Sequence, residues 1–474
     1  MRCLFCISLM AIYWVCEVIP LAVTALLPIA LFPIIGILDS KAIAKEYLND
    51  TNFLFIGGLM IAIAVEKCGL HERIGLRAAT LLGPQAKCMF ISNTATTAMM
   101  LPITNSITTQ LIQLETEEKL TKSELDIVKG LILCIAFAAN IGGIATINGT
   151  PPNLVFMGQL ETMYPQRETG LSYLTWMIIA FPLMLFCLAI CWLFLWFFFL
   201  RNISVVNNEV LVSVEECYAK LPRMSFAEKI VLVCFVVLIA LWVFREPQFA
   251  PGLGSLFPKG YYSDATSAVL IAILLFALPD DVPDILCFSK RGSIMDWKTV
   301  QTHFPWNIVL LLGGGFALAS GIKSSGLSDE IGGFLSKLKG VSLPILQFSF
   351  IIMAMATTNL CSNTATASIF LPIIASLAEN IKVHPFTLML PVTMACSFAF
   401  ALPIGTPPNA IAFSCGKLKV SDMVTLLFVL CGTIISVVLA VILLAYFSSF
   451  AYLIFPLSTL PTWALSNSSS FANV

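Results

Sequence analysis

Between Tyr173 and Leu200 the chain carries no charged residue, and the run is closed by Arg167-Glu168 on one side and Arg201 on the other. A helix needs about 20 apolar residues to cross the hydrocarbon of a bilayer, so this stretch can span it even when tilted. Uncharged stretches at 230–244 and 266–279 repeat the pattern, and after Asp422 no charge appears again, giving an expected last helix at about 423–447 with an amphipathic tail. Composition agrees: 58% of the 474 residues are apolar, 11% are charged and the mean hydropathy is +0.92. A soluble domain carries about 25% charged residues, so this chain cannot coat a water-facing surface and reads as one integral membrane domain. Its 26 Lys+Arg nearly balance 27 Asp+Glu for a net charge of -1, which excludes a nucleic-acid-binding role because phosphates are gripped by a basic excess.

Hydrophobicity runs from the first residues past Glu17 and Pro20 to about Leu38, too far for a signal peptide. Polar connections are expected at 111–129, 201–229 and 280–305, with the charged segment Glu115–Lys129 as an aqueous loop. Lys67, Arg73, Arg77 and Lys87 form one basic amphipathic stretch and Lys323, Lys337 and Lys339 another, both read as membrane-surface helices. The 15 cysteines lie singly in apolar runs, as at Cys187, Cys191, Cys234, Cys396 and Cys431, and read as small packing residues. Cys3 and Cys6 form a Cys-x-x-Cys without a nearby histidine, and His71, His303 and His384 are scattered, so neither set reads as a metal site. No Ser/His/Asp arrangement stands out, and the chain does not read as an enzyme. Glu17 is either an intramembrane functional carboxylate or an interfacial residue beside Pro20; Asp264 and Glu66 read as boundary residues.

The informative feature is an internal repeat. Ser92-Asn-Thr-Ala-Thr-Thr-Ala-Met-Met-Leu-Pro-Ile103 recurs as Ser362-Asn-Thr-Ala-Thr-Ala-Ser-Ile-Phe-Leu-Pro-Ile373, identical at eight of twelve positions. Gly149-Thr-Pro-Pro-Asn153 is matched by Gly405-Thr-Pro-Pro-Asn409, and Leu54–Gly58 with Gly69-Leu70 by Leu311–Gly315 with Gly326-Leu327. Three landmarks in one order indicate duplication. Ser, Asn and Thr compete for backbone hydrogen bonds and Pro and Gly interrupt the ladder, so these motifs predict breaks in membrane helices. Paired breaks in corresponding halves point to a transporter binding site near the midplane. Their side-chain oxygens and freed carbonyls suit a dehydrated sodium ion, while freed amides at half-helix starts suit a carboxylate.

At these residues the chain resembles the divalent anion/sodium symporter family, from about residue 9 to about 465. Further shared motifs are Glu17-Val-Ile-Pro-Leu-Ala-Val-Thr-Ala25, Ala64-Val-Glu66 with Leu70-His71, Ile141-Gly-Gly-Ile-Ala-Thr146, Pro305-Trp306 and Leu312–Ala319. The resemblance implies an all-α polytopic membrane protein of two inverted-topology repeats with re-entrant hairpins and broken helices, a homodimer working as an elevator in the plasma membrane. On that reading, 1–200 is the first repeat with N-terminal scaffold segments, 201–229 the polar connection, and 230–474 the second repeat with scaffold segments and a C-terminal tail. Carried over by motif, one sodium site uses Ser92, Asn93 and Gly149, and the other Thr358, Cys361, Asn363 and Gly405. The substrate meets Asn93, Thr94, Thr150, Asn363, Thr364, Thr406 and Pro407. The implied function is sodium-coupled uptake of dicarboxylates or tricarboxylates such as succinate and citrate, with sulfate as the alternative anion and no organic cofactor. Asn148 stands where related animal proteins have Thr.

The two copies are unequal. Gly69 to Ser92 spans 23 positions but Gly326 to Ser362 spans 36, while Ser92 to Gly149 spans 57 and Ser362 to Gly405 spans 43. The loop at 111–129 absorbs the second difference. The first leaves only Pro84–Phe90 where the second repeat has a full apolar arm, Leu343–Thr358, and where the family has an arm ending in Leu-Ser-Met-Trp with a sodium-ligating serine. A splice form, an imperfect gene model, a natural variant or reuse of 74–90 as a shortened arm would each account for it; the chain also begins at what resembles the family's second membrane segment, as a truncated form would. A second function follows: a non-transporting isoform that dimerises with a full-length sibling. A membrane enzyme or anion channel is the third. Sequons lie at Asn49, Asn148, Asn202 and Asn467, of which Asn467, in the polar tail, is the best glycan candidate.

Overall fold

The computed structural model describes residues 2–16, 18–70, 73, 122–164, 169–197, 222–246, 251–258, 261–281, 292–327, 330, 341–400, 406–414, 426–449 and 461. The ordered elements among them are helices, apart from one isolated bridge between Pro279 and Ser293. The first half holds α1 (Arg2–Cys16), α2 (Leu27–Ile34), α3 (Ser40–Tyr47), α4 (Asp50–Lys67), α5 (Lys122–Gly142), α6 (Pro151–Met163) and α7 (Tyr173–Leu195). The second holds α8 (Phe226–Val243), α9 (Asp264–Ala277), α10 (Trp297–His303), α11 (Trp306–Ser324), α12 (Leu343–Leu360), α13 (Asn363–Asn380), α14 (Pro385–Ala395), α15 (Pro407–Ser414) and α16 (Leu426–Ser449). Five helical stretches among the described residues are long and apolar enough to cross a bilayer: Ser40–Lys67, α7, α8, α11 and α12.

Short polar side chains set where the apolar runs begin. Asn49 accepts the Asn52 N–H at 2.9 Å to start α4, and Ser172 accepts that of Thr175 at 3.2 Å to start α7. Ser225 and Glu228 form a capping box at α8, satisfying two orphan N–H groups reciprocally. The ends are equally local. Gly69 and Gly326, corresponding residues of the duplication, adopt φ +77 and +70 just past α4 and α11, where a side chain would be strained. Their N–H groups donate to the Glu66 and Lys323 carbonyls at 3.1 and 3.3 Å.

On α7 one face is buried through Trp176, Ile179, Leu183, Cys187 and Cys191, yet the opposite face exposes Ile178, Phe181, Leu185, Phe186 and Leu193. On α8 and α9, Val233, Val236, Leu270 and Ile273 are likewise exposed. Helices apolar on both faces have lipid as their solvent. Inside, two apolar clusters share α11. Leu312 and Phe316 belong to the larger one, while Leu311, Ala317, Leu318 and Ile322 pack with Met10, Trp14, Phe32 and Tyr47 of the N-terminal helices. Gly313 and Gly314 permit that second contact, because a Cβ at either would collide with Tyr47 or with Ala25.

Several sequence expectations move. Residues Lys122–Lys129 are the first turns of α5 rather than loop, and the 280–305 connection contains α10. α8 starts at Phe226, four residues before its uncharged run, because Glu228 serves as the cap partner. Lys67 and Lys323 close the last turns of long apolar helices instead of lying on surface helices, where a cation meets the negative end of the helix dipole. Lys67 Nζ reaches Asp296 at 2.6 Å, and the lysine and the Thr299 hydroxyl and N–H hold that exposed carboxyl well below the usual range. Arg73 pairs with Glu228 at 3.1 Å. Asp264 is a boundary residue as expected, at the first turn of α9 and 2.7 Å from Arg245 Nε. The Asn49 sequon is occupied by structure, its asparagine capping α4 and its Thr51 hydroxyl donating to Glu161 at 2.9 Å. Glu17, His71, Arg77, Lys87, Lys337, Lys339, the 84–90 arm, Asn202 and Asn467 lie outside the described residues.

Adjacent glycines on α4 give a test of this packing. A Cβ on Gly57 would lie 2.7 Å from the Ala268 backbone of α9, whereas one on Gly58 would meet nothing closer than 3.7 Å. Gly57→Ala is expected to destabilise by about 1–3 kcal/mol through overpacking, and Gly58→Ala by no more than about 0.5 kcal/mol. Thermal unfolding of the two purified variants checks it; equal melting temperatures would refute the close α4–α9 approach.

Candidate binding site

Two helix breaks meet in the centre of the molecule. At the first, α5 ends at Gly142, a 3-10 turn covers Gly143–Ala145, Thr146 is extended, and α6 restarts after Thr150. At the second, α14 ends at Ala395 and α15 restarts at Pro407 after Thr406. The same device closes both. Asn153 Nδ2 donates to the Gly143 carbonyl at 3.2 Å and Asn409 Nδ2 to the Ala399 carbonyl at 2.8 Å, each ten residues upstream and at corresponding positions of the duplication. The Asn153 and Asn409 N–H groups also cap the Thr150 and Thr406 carbonyls at 3.2 and 3.1 Å. These bonds satisfy backbone groups that would otherwise cost several kcal/mol each in a membrane. Gly149 must be glycine, since a Cβ there would collide with the Gly143 carbonyl oxygen.

A third break lies between α12 and α13, where Cys361 (φ -135, ψ 172) and Ser362 (φ -62, ψ 144) are extended. Ser362 Oγ accepts the Ala365 N–H at 3.2 Å and its carbonyl accepts that of Thr366 at 3.0 Å. The N–H groups of Asn363 and Thr364 have no partner among the described residues, and both residues are buried. They are the donors a carboxylate can use. The starts of α6 and α15 differ: Pro151-Pro152 and Pro407-Pro408 have no N–H, so those ends contribute only the positive dipole end and the Thr150 and Thr406 hydroxyls. Pro407 is exposed, while Thr150 and Thr406 are buried.

Thr358 and Asn363, both candidates from the sequence, lie in contact. Thr358 Oγ1 lies 2.8 Å from Asn363 Oδ1 and 2.6 Å from the Cys396 carbonyl oxygen, with Thr358 fully buried. The hydroxyl has one proton for two acceptors. Three hard oxygens therefore converge with a deficit of hydrogen, an arrangement that suits a sodium ion. The Cys361 thiol turns instead to the Thr357 carbonyl and the Thr366 hydroxyl, both at 3.2 Å, so of this residue only the main chain is left to face the cluster. Ser92, Asn93, Thr94 and Gly405 lie outside the described residues.

The sequence reading missed Asn140, Asn153, Asn409 and the Cys396 carbonyl. Asn140, fully buried near the end of α5, donates to Asn409 Oδ1 at 3.3 Å and accepts from the Thr406 hydroxyl at 3.5 Å. Thr406 in turn accepts from Asn363 Nδ2 at 3.4 Å. A polar chain thus runs from Thr358 to Asn140 and ties the three breaks together. An asparagine within the apolar run Leu131–Ile141 was its visible signal. Asn148 lies to the side, lining a cavity of about 60 Å³ with Phe55, Leu59, Tyr173, Leu238 and Trp242, and neither of its amide atoms has a partner among the described residues.

Residues 1–456 match the family model described as the sodium:sulfate symporter transmembrane region. The chain belongs to the divalent anion/sodium symporter family. Among its relatives, the sodium-dependent high-affinity dicarboxylate transporter 3 of Caenorhabditis elegans is 51% identical over 489 residues, covering 98% of this chain and 85% of that protein. The sodium-dependent low-affinity dicarboxylate transporter 1 of the same organism is 42% identical, with 98% and 88% covered, and the mouse Na(+)/citrate cotransporter is 37% identical, with 98% and 93% covered. A solved structure of MtrF from Neisseria gonorrhoeae, described in terms of antimetabolite efflux pumps, matches with a TM-score of 0.50 at 15% identity over 85% of this chain and 82% of that one, a likeness of fold alone.

For this symporter, Asn140→Leu keeps volume but leaves Asn409 and Thr406 short of a partner. It is expected to cost about 1–3 kcal/mol, read as a lower melting temperature of the purified protein. An unchanged melting temperature would remove Asn140 from the site.

Proposed function

We propose that the chain is a secondary active transporter that couples sodium entry to uptake of dicarboxylates or tricarboxylates such as succinate and citrate. The observation that carries this is the oxygen cluster at Thr358, Asn363 and Cys396 beside the N–H groups of Asn363 and Thr364, which have no partner among the described residues. A cation and an anion are accommodated side by side, so each stabilises the other in a low-dielectric interior. No Lys or Arg is needed for the anion; sodium and three helix starts balance its charge. The relatives named for dicarboxylate and citrate transport support the choice of anion over sulfate.

In this reading Thr358, Asn363, Gly405 and the main chain at Cys361 hold one sodium ion, and Ser92, Asn93 and the Gly149 carbonyl hold another. Asn93, Thr94, Thr150, Asn363, Thr364, Thr406 and Pro407 contact the substrate. The halves 1–200 and 230–474 are inverted repeats joined at 201–229, and the protein works as an elevator-type homodimer in the plasma membrane. A second reading rests on the 23-position spacing from Gly69 to Ser92 against 36 in the other copy: a non-transporting form that pairs with a complete sibling.

Radiolabelled succinate and citrate uptake in expressing cells, in sodium and in choline medium with surface abundance measured in parallel, separates the two. Sodium-dependent uptake is expected. Thr358→Val should raise half-saturating sodium about tenfold or more, as loss of a buried ligand oxygen implies, while Thr358→Ser retains near-normal sodium dependence. Absence of uptake from a surface-expressed chain would favour the pairing form.

A further inference from the structure

The helices that start at two of the breaks, α6 and α13, both rest on Gly315 of α11. From α6, which begins after Thr150, Gly158 sits against the Phe316 ring so closely that a Cβ would collide with it, and Gln159 Nε2 donates to the Gly315 carbonyl at 3.0 Å. From α13, which begins at Asn363, Ser368 lies against the Gly315 Cα, where a Cβ would collide with its hydroxyl. Gln159, Ser368 and Phe316 are fully buried. Among the described residues the Gln159 amide oxygen and the Ser368 hydroxyl have no partner, and the hydrogen bond to Gly315 fixes this polar junction. A second tie, Lys323 Nζ to the Met163 carbonyl at 2.8 Å, anchors the far end of α6 to the same helix.

Gln159 stands nine residues after Thr150, about 13 Å along a helix, too far to touch a ligand at the break. It acts through the helix. We propose that Gln159 is a positioning residue for substrate and sodium binding: its bond to Gly315 sets where α6 begins relative to α13, whose own position is set by Ser368 on the same glycine. The junction gauges the distance between the Thr150 and Asn363–Thr364 halves of the site. This rests on the site proposed above, not on whether the chain completes a transport cycle.

The test measures apparent affinity by the succinate concentration, at fixed sodium, that half-maximally raises the melting temperature of the purified full chain. Gln159→Leu keeps the volume and removes the donor; Gly315→Ala wedges α13 away; Gly315→Ala with Ser368→Gly removes the atoms the new methyl meets. Both single variants are expected to weaken apparent affinity about tenfold, and the double variant to return it to within about twofold of the parent. If the variants lower the ligand-free melting temperature while affinity stays the same, the junction is packing only and the proposal is overturned. It is also overturned if Ser368→Gly fails to rescue Gly315→Ala. Uptake run alongside separates the readings: a parent chain that binds succinate without transporting it defeats the transport assignment and leaves the gauge intact.

Discussion

The architecture depends on one constraint: a helix interrupted inside a membrane must find partners for the backbone groups it frees. At both central breaks the partner is an asparagine two residues into the next helix after the Pro-Pro pair, reaching back ten residues to a carbonyl before the turn. Once the breaks are closed in this way, helix starts can lie in the protein interior at little cost. The proposed binding chemistry is then a by-product of the same groups. Thr150 and Thr406 sit at the starts because they precede the prolines, and Gly149 is glycine because a carbonyl occupies the space of its side chain.

α11 turns these local solutions into a single body. Its glycines are worn by neighbours on three sides: Tyr47 at Gly313, Ala25 at Gly314, and Ser368 at Gly315. Without water to drive helices together, close backbone approach through small residues is the main source of packing energy in a membrane. A helix with three consecutive glycines would be a weak helix in water. Here it is buried by both apolar clusters and held by its surroundings.

Much of this was legible in the sequence, and the reasons are specific. Charge-free runs locate α7, α8, α9 and α16 because lipid tolerates few charges, and the duplicated Gly-Thr-Pro-Pro-Asn announces broken helices because no intact helix accepts that pentapeptide. Thr358 and Asn363 are five residues apart across a break, so their meeting was inferable from the motif. Asn140 was not, since its partners Thr406 and Asn409 are more than 260 residues away and its own surroundings read as ordinary apolar helix. The Cys396 carbonyl was invisible for a different reason: main-chain oxygens carry no sequence signature. The displaced boundaries at Phe226 and Lys122 follow from charges tolerated in the first turns of a helix, which a count of uncharged residues discards.

At the offset that relates the two Gly-Thr turns, Asn140 corresponds to Cys396. The amide side chain of Asn140 crosses into the other copy's turn, whereas at Cys396 it is the backbone oxygen that is used, within its own copy. Corresponding positions of the repeated motifs thus have complementary tasks. A defect introduced at Asn140 would therefore surface as a fault at the Thr406–Asn409 turn, 266 residues away, and the segment around that turn expressed alone would lack the lock that Asn140 supplies.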